Sequence, residues 1–327
     1  MRSGDVQTVD ELDPDGRAVA ERPARAASTA RRNQGVPCTN EIGAAMVIEA
    51  STREVGEAST REAGEASRRI TSRQLWGVGT HRGNVRGTNQ DTIVVEPDLG
   101  LYAVLDGMGG AASGDVASRL AGERLANAVR GHLATQQLSP RALLESAINE
   151  AAAAVFDLAA NDALHQGMGT TVVACLFSHA HDVLIAHAGD SRAYLLRHGN
   201  LRQITRDHTL WQEYSDEGQR LSDREGRLLR HILTRNLGEA RGVAPDIVDE
   251  TLEAGDRLLL CSDGLYDAVP HETMQQILSS AASPSAIALQ LVNTGLNGPC
   301  SDNISALVIA LTSLSSCDAP QGDKGCG

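Results

Sequence analysis

Five aspartates lie at the borders of apolar segments of the sequence. Three apolar runs end in Asp106, Asp190 and Asp263, each followed by Gly or Ser, and two further runs begin just after Asp91 and Asp302. An aspartate at a strand end is often a turn residue, because its side chain hydrogen-bonds to the nearby backbone. Carboxylates that meet at strand ends repel one another unless a cation lies between them. Five such borders therefore indicate a site for Mg²⁺ or Mn²⁺, hard ions that prefer oxygen ligands.

The glycines after Asp106 have two interpretations. Gly107, Gly109 and Ala112 match the G-x-G-x-x-G/A fingerprint, in which backbone amides bind the pyrophosphate of a dinucleotide. The carboxylate of Asp106 would repel that phosphate, and the fingerprint requires a parallel strand–helix–strand unit. In the other interpretation, Gly107 lets a backbone carbonyl approach a cation as a further ligand.

The order of the predicted elements distinguishes between these interpretations. Apolar periodicity predicts strands at 75–79, 92–96, 101–105, 170–177, 183–188, 192–197, 201–204, 257–261 and 304–311, and helices at 113–131, 139–163, 208–217, 270–280 and 284–295. Short polar turns between consecutive strands are typical of hairpins and antiparallel sheets. The two long central helices are expected to cover one sheet face. The sequence therefore predicts an α+β fold and disfavours a doubly wound parallel sheet.

Composition excludes several classes of function. The net charge is −13 and aromatic residues make up 2% of the chain, which disfavours nucleic acid and anionic membranes as partners. Lys324 is the sole lysine, so a P-loop and a kinase ATP site are excluded. The six cysteines form no C-x-x-C pair, and Cys175 and Cys261 lie in apolar runs typical of buried thiols. No signal peptide or membrane span is predicted, so we expect a cytoplasmic protein.

The chain is predicted to have three parts. Residues 1–72 have the composition of a disordered N-terminal extension, and within them the octapeptide STREVGEA (51–58) is followed by STREAGEA (59–66). Residues 73–312 form one predicted domain. Residues 313–327 are expected to be a disordered tail.

Several short motifs occur in the order found in one known family. They are VRGTNQD (85–91), LDGMGG (105–110), GMGTT (167–171), AGDSRAYLLR (188–197), CSDGLYD (261–267) and SDNIS (301–305). Over about residues 75–311 the sequence resembles the metal-dependent PP2C (PPM) family of protein serine/threonine phosphatases, in its bacterial form. The resemblance implies a four-layer α-β-β-α sandwich, in which two antiparallel sheets are flanked by helices and a binuclear metal centre lies at one edge.

The resemblance also implies a set of metal ligands. Asp106 matches the residue that bridges two Mn²⁺ or Mg²⁺ ions, and the Gly107 carbonyl matches a ligand of one of them. Asp263 and Asp302 match the ligands of the other ion. Asp190 matches a ligand of the third, weaker ion that bacterial members often show, shared with Asp263.

The remaining implied roles concern substrate and solvent. Arg86 matches the arginine that binds the substrate phosphate, a role suited to a guanidinium fork, and Asp91 lies where the family holds metal-bound water. The reaction implied is hydrolysis of phosphoserine and phosphothreonine by metal-activated water, without a phosphoenzyme. Met108 stands where eukaryotic members often have His, so the leaving group must be protonated by a metal-bound water or another acid.

The implied partners are phosphorylated proteins, namely a bacterial Ser/Thr kinase and its substrates, acted on by a monomer. An alternative is a phosphatase of anti-sigma-factor antagonists in stress signalling; an alternative from another class is a dinucleotide-binding oxidoreductase. Residues 205–245 fall where the family has its flap beside the site. There we expect Arg227, Arg230 and Arg235 to recognise phosphoprotein substrates.

Overall fold

Two antiparallel sheets form the centre of the protein. The structure, a computed structural model, describes residues 53–55, 72–109, 113–179 and 181–313. One sheet has the strand order β1-β2-β12-β11-β8-β9, with β1 at Arg53–Val55, β2 at Ser72–His81, β12 at Ile304–Ser313, β11 at Arg257–Cys261, β8 at Arg192–Arg197 and β9 at Asn200–Gln203. The other has the order β10-β7-β6-β4-β3, with β10 at Asp246–Thr251, β7 at Asp182–Ala188, β6 at Val172–Phe177, β4 at Leu101–Met108 and β3 at Asp91–Glu96; a short β5 at Gly169–Thr170 also pairs with β4.

Helices cover the outer face of each sheet. One sheet is covered by α1 (Gly114–Thr135) and α2 (Pro140–Asn161), and the other by α5 (Asp263–Ala268), α6 (His271–Leu278) and α7 (Pro284–Leu296). Helices α3 (Leu210–Asp216) and α4 (Asp223–Leu229) lie in the segment between β9 and β10, and 3₁₀ turns are found at Pro97–Leu99 and Ala163–His165. Two of the helices begin with a Ser-Pro pair. Ser139 and Ser283 cap α2 and α7 by accepting a backbone N–H three residues on, and the proline follows at the first helical position. Among the described residues, no helix combines the length and apolar character needed to cross a bilayer.

The alternating side chains of β4 show how the layers are stacked. Leu101, Ala103 and Leu105 are fully buried in the apolar cluster formed with α1 and α2. Tyr102 and Val104 point to the opposite face, into the cluster between the two sheets. A third cluster joins the far face of the other sheet to α5, α6 and α7. The fold is therefore helix–sheet–sheet–helix, which confirms the predicted α+β sandwich.

Antiparallel pairing also decides between the two interpretations of the glycines. Strand β4 pairs antiparallel with both β3 and β6, so the parallel unit that a dinucleotide fingerprint requires is not formed there. Ala112, the last position of that fingerprint, lies outside the described residues.

The predicted elements are all found, and three described elements in the domain were not predicted. Strand β10 carries exposed and half-buried side chains and lies at a sheet edge, so its sequence shows no apolar run. Helices α4 and α5 have seven and six residues, too few for a periodic pattern. Strand β1 lies in the first octapeptide of the N-terminal extension; the rest of residues 1–71 and the tail from 314 lie outside the described residues.

Candidate metal centre

Strands β3 and β4 place two of the predicted aspartates opposite each other. Asp91 and Asp106 are register partners at one end of the pair. The backbone of Asp106 is fixed by Thr171: its N–H donates to Thr171 Oγ1 at 3.0 Å, and its carbonyl accepts the Thr171 N–H at 2.9 Å. Thr170 Oγ1 donates to the same carbonyl at 2.9 Å. The position of the Asp106 carboxylate is thus set by the sheet.

Gly107 lies where β4 passes close to the start of α1. A Cβ atom at this position would overlap the carbonyl oxygen of Gly114 and would lie 2.6 Å from that of Gln90. The Gly107 N–H donates to the Gln90 carbonyl at 3.1 Å. Packing therefore requires glycine at this position. The backbone of Gly107 forms part of the wall of the cleft described below.

Asp263 and Asp302 come from the other sheet. Asp263 is the first residue of α5 and lies two residues after the end of β11. Asp302 lies two residues before β12, the strand paired with β11. A Cβ at Gly264 would overlap the Asn303 carbonyl, so the start of α5 and the Asp302 loop are packed tightly. The two carboxylates consequently lie at the same end of neighbouring strands.

A cleft of about 270 Å³ brings most of the predicted residues together. Its walls are formed by Arg86, Gln90, Asp106, Gly107, Met108, Gly109, Thr171, Asp190, His231, Leu233, Asp263 and Asp302. Asp91 does not line this cleft. It is 1% exposed, and its Oδ2 accepts a hydrogen bond from Ser262 Oγ at 2.8 Å. Asp91 therefore lies beneath the surface formed by the other carboxylates.

Four buried carboxyl groups at this edge have raised pKa values. Burial, and then the neighbouring carboxylates Asp91 and Asp263, raise the pKa of Asp106 well above its usual range. Burial raises the pKa of Asp91 to about 7, although two serine hydroxyls hydrogen-bond to it. Burial and Asp302 raise the pKa of Asp263 to about 6. The same causes, burial first and then Asp263, raise the pKa of Asp190. Each ionised form is costly here without a compensating cation.

The donor set fits a divalent cation. The Oδ1 atom of Asp263 is buried and has no hydrogen-bond partner in the part of the chain that the structure describes. Buried polar atoms are usually satisfied, so such an oxygen indicates a missing ligand. Carboxylate and backbone carbonyl oxygens are the ligands that Mg²⁺ and Mn²⁺ prefer. The residues present therefore suit the ions that the sequence predicts.

Arg86 is held in position by a loop that one asparagine fixes. Asn303 Oδ1 accepts the Gln90 N–H at 2.7 Å, and its Nδ2 donates to the carbonyls of Arg82 and Thr88 at 3.0 and 2.9 Å. Within this loop, Arg86 Nη2 donates to Asp302 Oδ2 at 2.7 Å, and that contact raises the pKa of the guanidinium. The predicted phosphate-binding arginine thus lies against a predicted metal ligand.

Two residues at the cleft were missed by the sequence analysis. One ligand atom each of His231, Asp263 and Asp267 lies within 4.8 Å of the others. Asp267 is four residues after Asp263 on α5, so the spacing in CSDGLYD could have indicated a shared helix face. His231 follows α4, and its position beside Asp263 depends on how this segment folds back, which the sequence does not show.

Comparison with known proteins agrees with this geometry. Residues 76–304 match the family model described as Protein phosphatase 2C. The chain belongs to this family. It is 36% identical over 242 residues to the Serine/threonine protein phosphatase PstP of Mycobacterium tuberculosis, covering 73% of this chain and 45% of the relative. It is 35% identical over 235 residues to the Serine/threonine phosphatase stp of Listeria welshimeri, covering 70% of this chain and 93% of the relative. The chain thus spans less than half of the mycobacterial protein.

Solved structures of the PP2C family share this fold. The crystal structure of the M. tuberculosis phosphatase PstP/Ppp superposes with a TM-score of 0.65 at 35% identity, covering 73% of this chain and 99% of that one. The catalytic domain of PstP in complex with two manganese ions has a TM-score of 0.65 at 34% identity, covering 74% and 100%. The arrangement of sheets and helices is therefore that of PP2C phosphatases.

Proposed function

We propose that this chain is a metal-dependent protein phosphatase that hydrolyses phosphoserine and phosphothreonine. The observation that carries the proposal is the convergence of Asp106, Asp263 and Asp302 with Arg86 in one cleft. Carboxylates suit metal ions, and a guanidinium suits a phosphate, so the cleft offers the two kinds of contact that a phosphate monoester needs. Membership in the PP2C family supports the same activity.

Two cation positions are assigned by this proposal. Asp106 would contribute to both, the Gly107 carbonyl to one of them, and Asp263 with Asp302 to the other. Two divalent cations bound in this way supply an activated water and neutralise phosphate charge. Asp190, which also lines the cleft, would hold a third cation with Asp263. His231 and Asp267, which lie near Asp263, would offer further ligands beside that residue.

Arg86 is proposed to bind and orient the substrate phosphate. Its guanidinium is half exposed at the cleft, and its hydrogen bond to Asp302 uses Nη2. The other N–H groups of the guanidinium do not bind Asp302. A guanidinium holds two phosphate oxygens at once, which fixes the orientation of the group. Met108 lines the cleft but has no proton to donate to the leaving group.

The test is hydrolysis of p-nitrophenyl phosphate and of a phosphothreonine peptide, with and without Mn²⁺ and EDTA. We expect turnover with Mn²⁺, none after chelation, and recovery when Mn²⁺ is restored. Asp263→Asn serves as the matched inactive variant, with circular dichroism to show that it folds. Activity that survives chelation, or a fully loaded wild type without activity, overturns the proposal.

The substrates we propose are a bacterial Ser/Thr kinase and the proteins it phosphorylates. The mycobacterial and Listeria relatives are named serine/threonine phosphatases, which supports phosphoproteins as the substrate class. An anti-sigma-factor antagonist phosphorylated on serine is the second candidate, and release of phosphate from each protein at equal concentration separates the two. A cytoplasmic location and a monomeric state remain predictions from the sequence.

A further inference from the structure

Three exposed arginines lie in α4 and at its C-terminal cap. Arg224 and Arg227 belong to the helix and Arg230 caps it, and we call them the α4 arginine row. None of the ion pairs formed by side chains that the structure describes includes them. Several arginines elsewhere in the domain form ion pairs, as in Arg141–Asp249 at 2.8 Å and Arg241–Asp157 at 2.7 Å. In a chain of net charge −13, three neighbouring exposed arginines form a local positive surface.

Glu225 is the acidic residue of α4 whose side-chain contacts the structure describes, and its carboxylate is hydrogen-bonded within the helix cap. Glu225 closes the capping box of this helix by accepting the Ser222 N–H at 2.9 Å and the Ser222 hydroxyl at 2.6 Å. Those hydrogen bonds lower the pKa of Glu225. The carboxylate therefore stabilises the start of the helix and is not bound to the α4 arginine row.

The α4 arginine row ends at the cleft. Members three positions apart lie on neighbouring parts of one helix face. The chain continues from Arg230 directly into His231, which lines the cleft. Asp267 shares a small adjoining cavity with His231. Burial raises the pKa of Asp267, and the positive charge of Arg230 is among those that oppose this rise, which places Arg230 near the same cavity. A ligand that enters the cleft can therefore extend along these arginines.

Packing against α3 fixes the orientation of the row. The Arg230 guanidinium carbon lies 4.6 Å from the centre of the Trp211 ring. A Cβ built at Gly226, one turn earlier, would lie 3.3 Å from Trp211 Nε1, so the helix backbone also approaches this ring. Arg230 thus holds α4 in place, while Arg224 and Arg227 make no such contact.

Arg235 does not belong to this surface, although the sequence predicts a role in substrate recognition for it together with Arg227 and Arg230. Its Nη1 donates to Asp246 Oδ1 at 2.7 Å and to the Ala244 carbonyl at 3.2 Å, and lies 3.2 Å from His208 Nε2. These contacts join the end of the segment to β10. Arg235 therefore has a structural role in positioning this part of the chain.

We infer that the α4 arginine row binds acidic side chains that flank the phosphorylated residue of the substrate. The inference rests on the proposed phosphatase function and names the substrate class. Arg224 and Arg230 are separated by about 9 Å of helix, a distance covered by about three residues of an extended peptide. The acidic residues therefore lie within a few positions of the phosphoresidue, on the side of the peptide that leaves the cleft past His231.

The test compares three phosphothreonine peptides of one length. One has three glutamates before the phosphothreonine, one has three after it, and one has alanines at all of these positions. For the wild type with Mn²⁺ we expect the KM of one acidic peptide to be roughly tenfold below that of the neutral peptide, because each exposed ion pair changes affinity only a few-fold. High salt should remove this preference, since exposed charges are screened.

Charge reversal locates the effect. The double variant Arg224→Glu/Arg227→Glu should lose the preference and keep wild-type kcat and KM on p-nitrophenyl phosphate. Arg230 is left intact because it packs on Trp211. The matched control is Arg124→Glu, an exposed arginine of α1 for which the described residues provide no ion pair. This variant should keep the preference.

Two results overturn the inference while leaving the phosphatase function in place. One is equal KM for acidic and neutral peptides in a wild type that hydrolyses p-nitrophenyl phosphate. The other is an equal loss of preference in Arg124→Glu, which would assign the effect to net charge. Absence of any metal-dependent hydrolysis by the wild type would instead reject the proposed function, and this inference with it.

Discussion

The carboxylate cluster and the α4 arginine row both hold charges of one sign, but in opposite environments. The cluster, called the metal edge below, consists of Asp91, Asp106, Asp190, Asp263 and Asp302. At the metal edge, Asp91 and Asp190 are 1% and 6% exposed, and burial raises the pKa of both groups. The arginines of α4 are exposed to solvent. Buried like charges interact strongly because the local dielectric is low, whereas exposed charges are screened by water and salt. The first region therefore needs a resident counter-ion, and the second can remain empty until a ligand arrives.

The largest expected difference between the regions is in turnover. Asp106→Asn should lower kcat on p-nitrophenyl phosphate by at least roughly a hundredfold, the scale of losing a group that acts on the transition state. The α4 double variant should leave this kcat unchanged. Steady-state rates at saturating Mn²⁺ measure both. If Asp106→Asn keeps a tenth of the wild-type kcat while folded, the metal edge does not have the role we give it.

The second prediction concerns metal removal and pH. The pKa values of Asp91, about 7, and Asp263, about 6, lie above those of an unfolded chain. The folded state then binds more protons, so stability is full at low pH and is lost as pH rises through these values. The Tm of the metal-free protein should therefore fall between about pH 5 and about pH 8.

Manganese should reverse this loss. At a free concentration a hundredfold above Kd, a bound ion stabilises by about 2.7 kcal/mol, or roughly 5–10 °C in a domain of this size. Because binding displaces protons, the rise in Tm should be larger at the higher pH. Differential scanning fluorimetry with and without Mn²⁺ measures it, and Arg224→Glu/Arg227→Glu should show the same shifts as the wild type. A larger rise at low pH would contradict the assignment.

The third prediction separates the two kinds of arginine. Arg86→Lys replaces a bidentate group by a point charge, so KM should rise by roughly tenfold for every phosphate ester. The α4 variant should raise KM for acidic peptides alone. Parallel KM measurements on p-nitrophenyl phosphate and on an acidic phosphopeptide make the comparison. An Arg86→Lys effect confined to peptides would place Arg86 in substrate recognition beyond the phosphate.

The smallest expected effect is on the stability of α4 itself. Arg230→Ala removes the contact with the Trp211 ring, which is worth about 0.5–1 kcal/mol at an exposed site. The corresponding fall in Tm is roughly 1–4 °C. Arg224→Ala is the control and should leave Tm unchanged, since its guanidinium touches no aromatic ring among the described residues. Equal shifts in both variants would indicate loss of helix propensity instead.

Much of the site was predictable from where apolar runs stop. Asp190 and Asp263 lie two residues after β7 and β11, and Asp106 lies near the end of β4. The sequence pattern alone does not say that these strand ends meet, because they belong to two different sheets. The resemblance to a known family supplied that step. It also supplied Arg86, whose loop contains no apolar run.

The features that escaped prediction depend on contacts between distant segments. His231 reaches Asp263 only because the segment between β9 and β10 folds back over the cleft. The burial of Asp91 depends on Ser262, which is 171 residues away in the chain. The pairing of Arg235 with Asp246, and hence its absence from the substrate surface, likewise follows from the position of β10. Local sequence patterns carry no information on such pairs.

The side chain of Asn303 fixes the loop that carries Arg86 to the sheet that contains β12. Its amide oxygen and both amide hydrogens are engaged by the backbone at Arg82, Thr88 and Gln90. The residue itself immediately precedes β12, the long strand beside β2. Any displacement of Arg86 relative to Asp302 must therefore break hydrogen bonds or bend the sheet. Substitutions that change substrate preference are therefore better tolerated on the surface of α4 than in this loop. A side chain on α4 can change without moving Arg86 or Asp302.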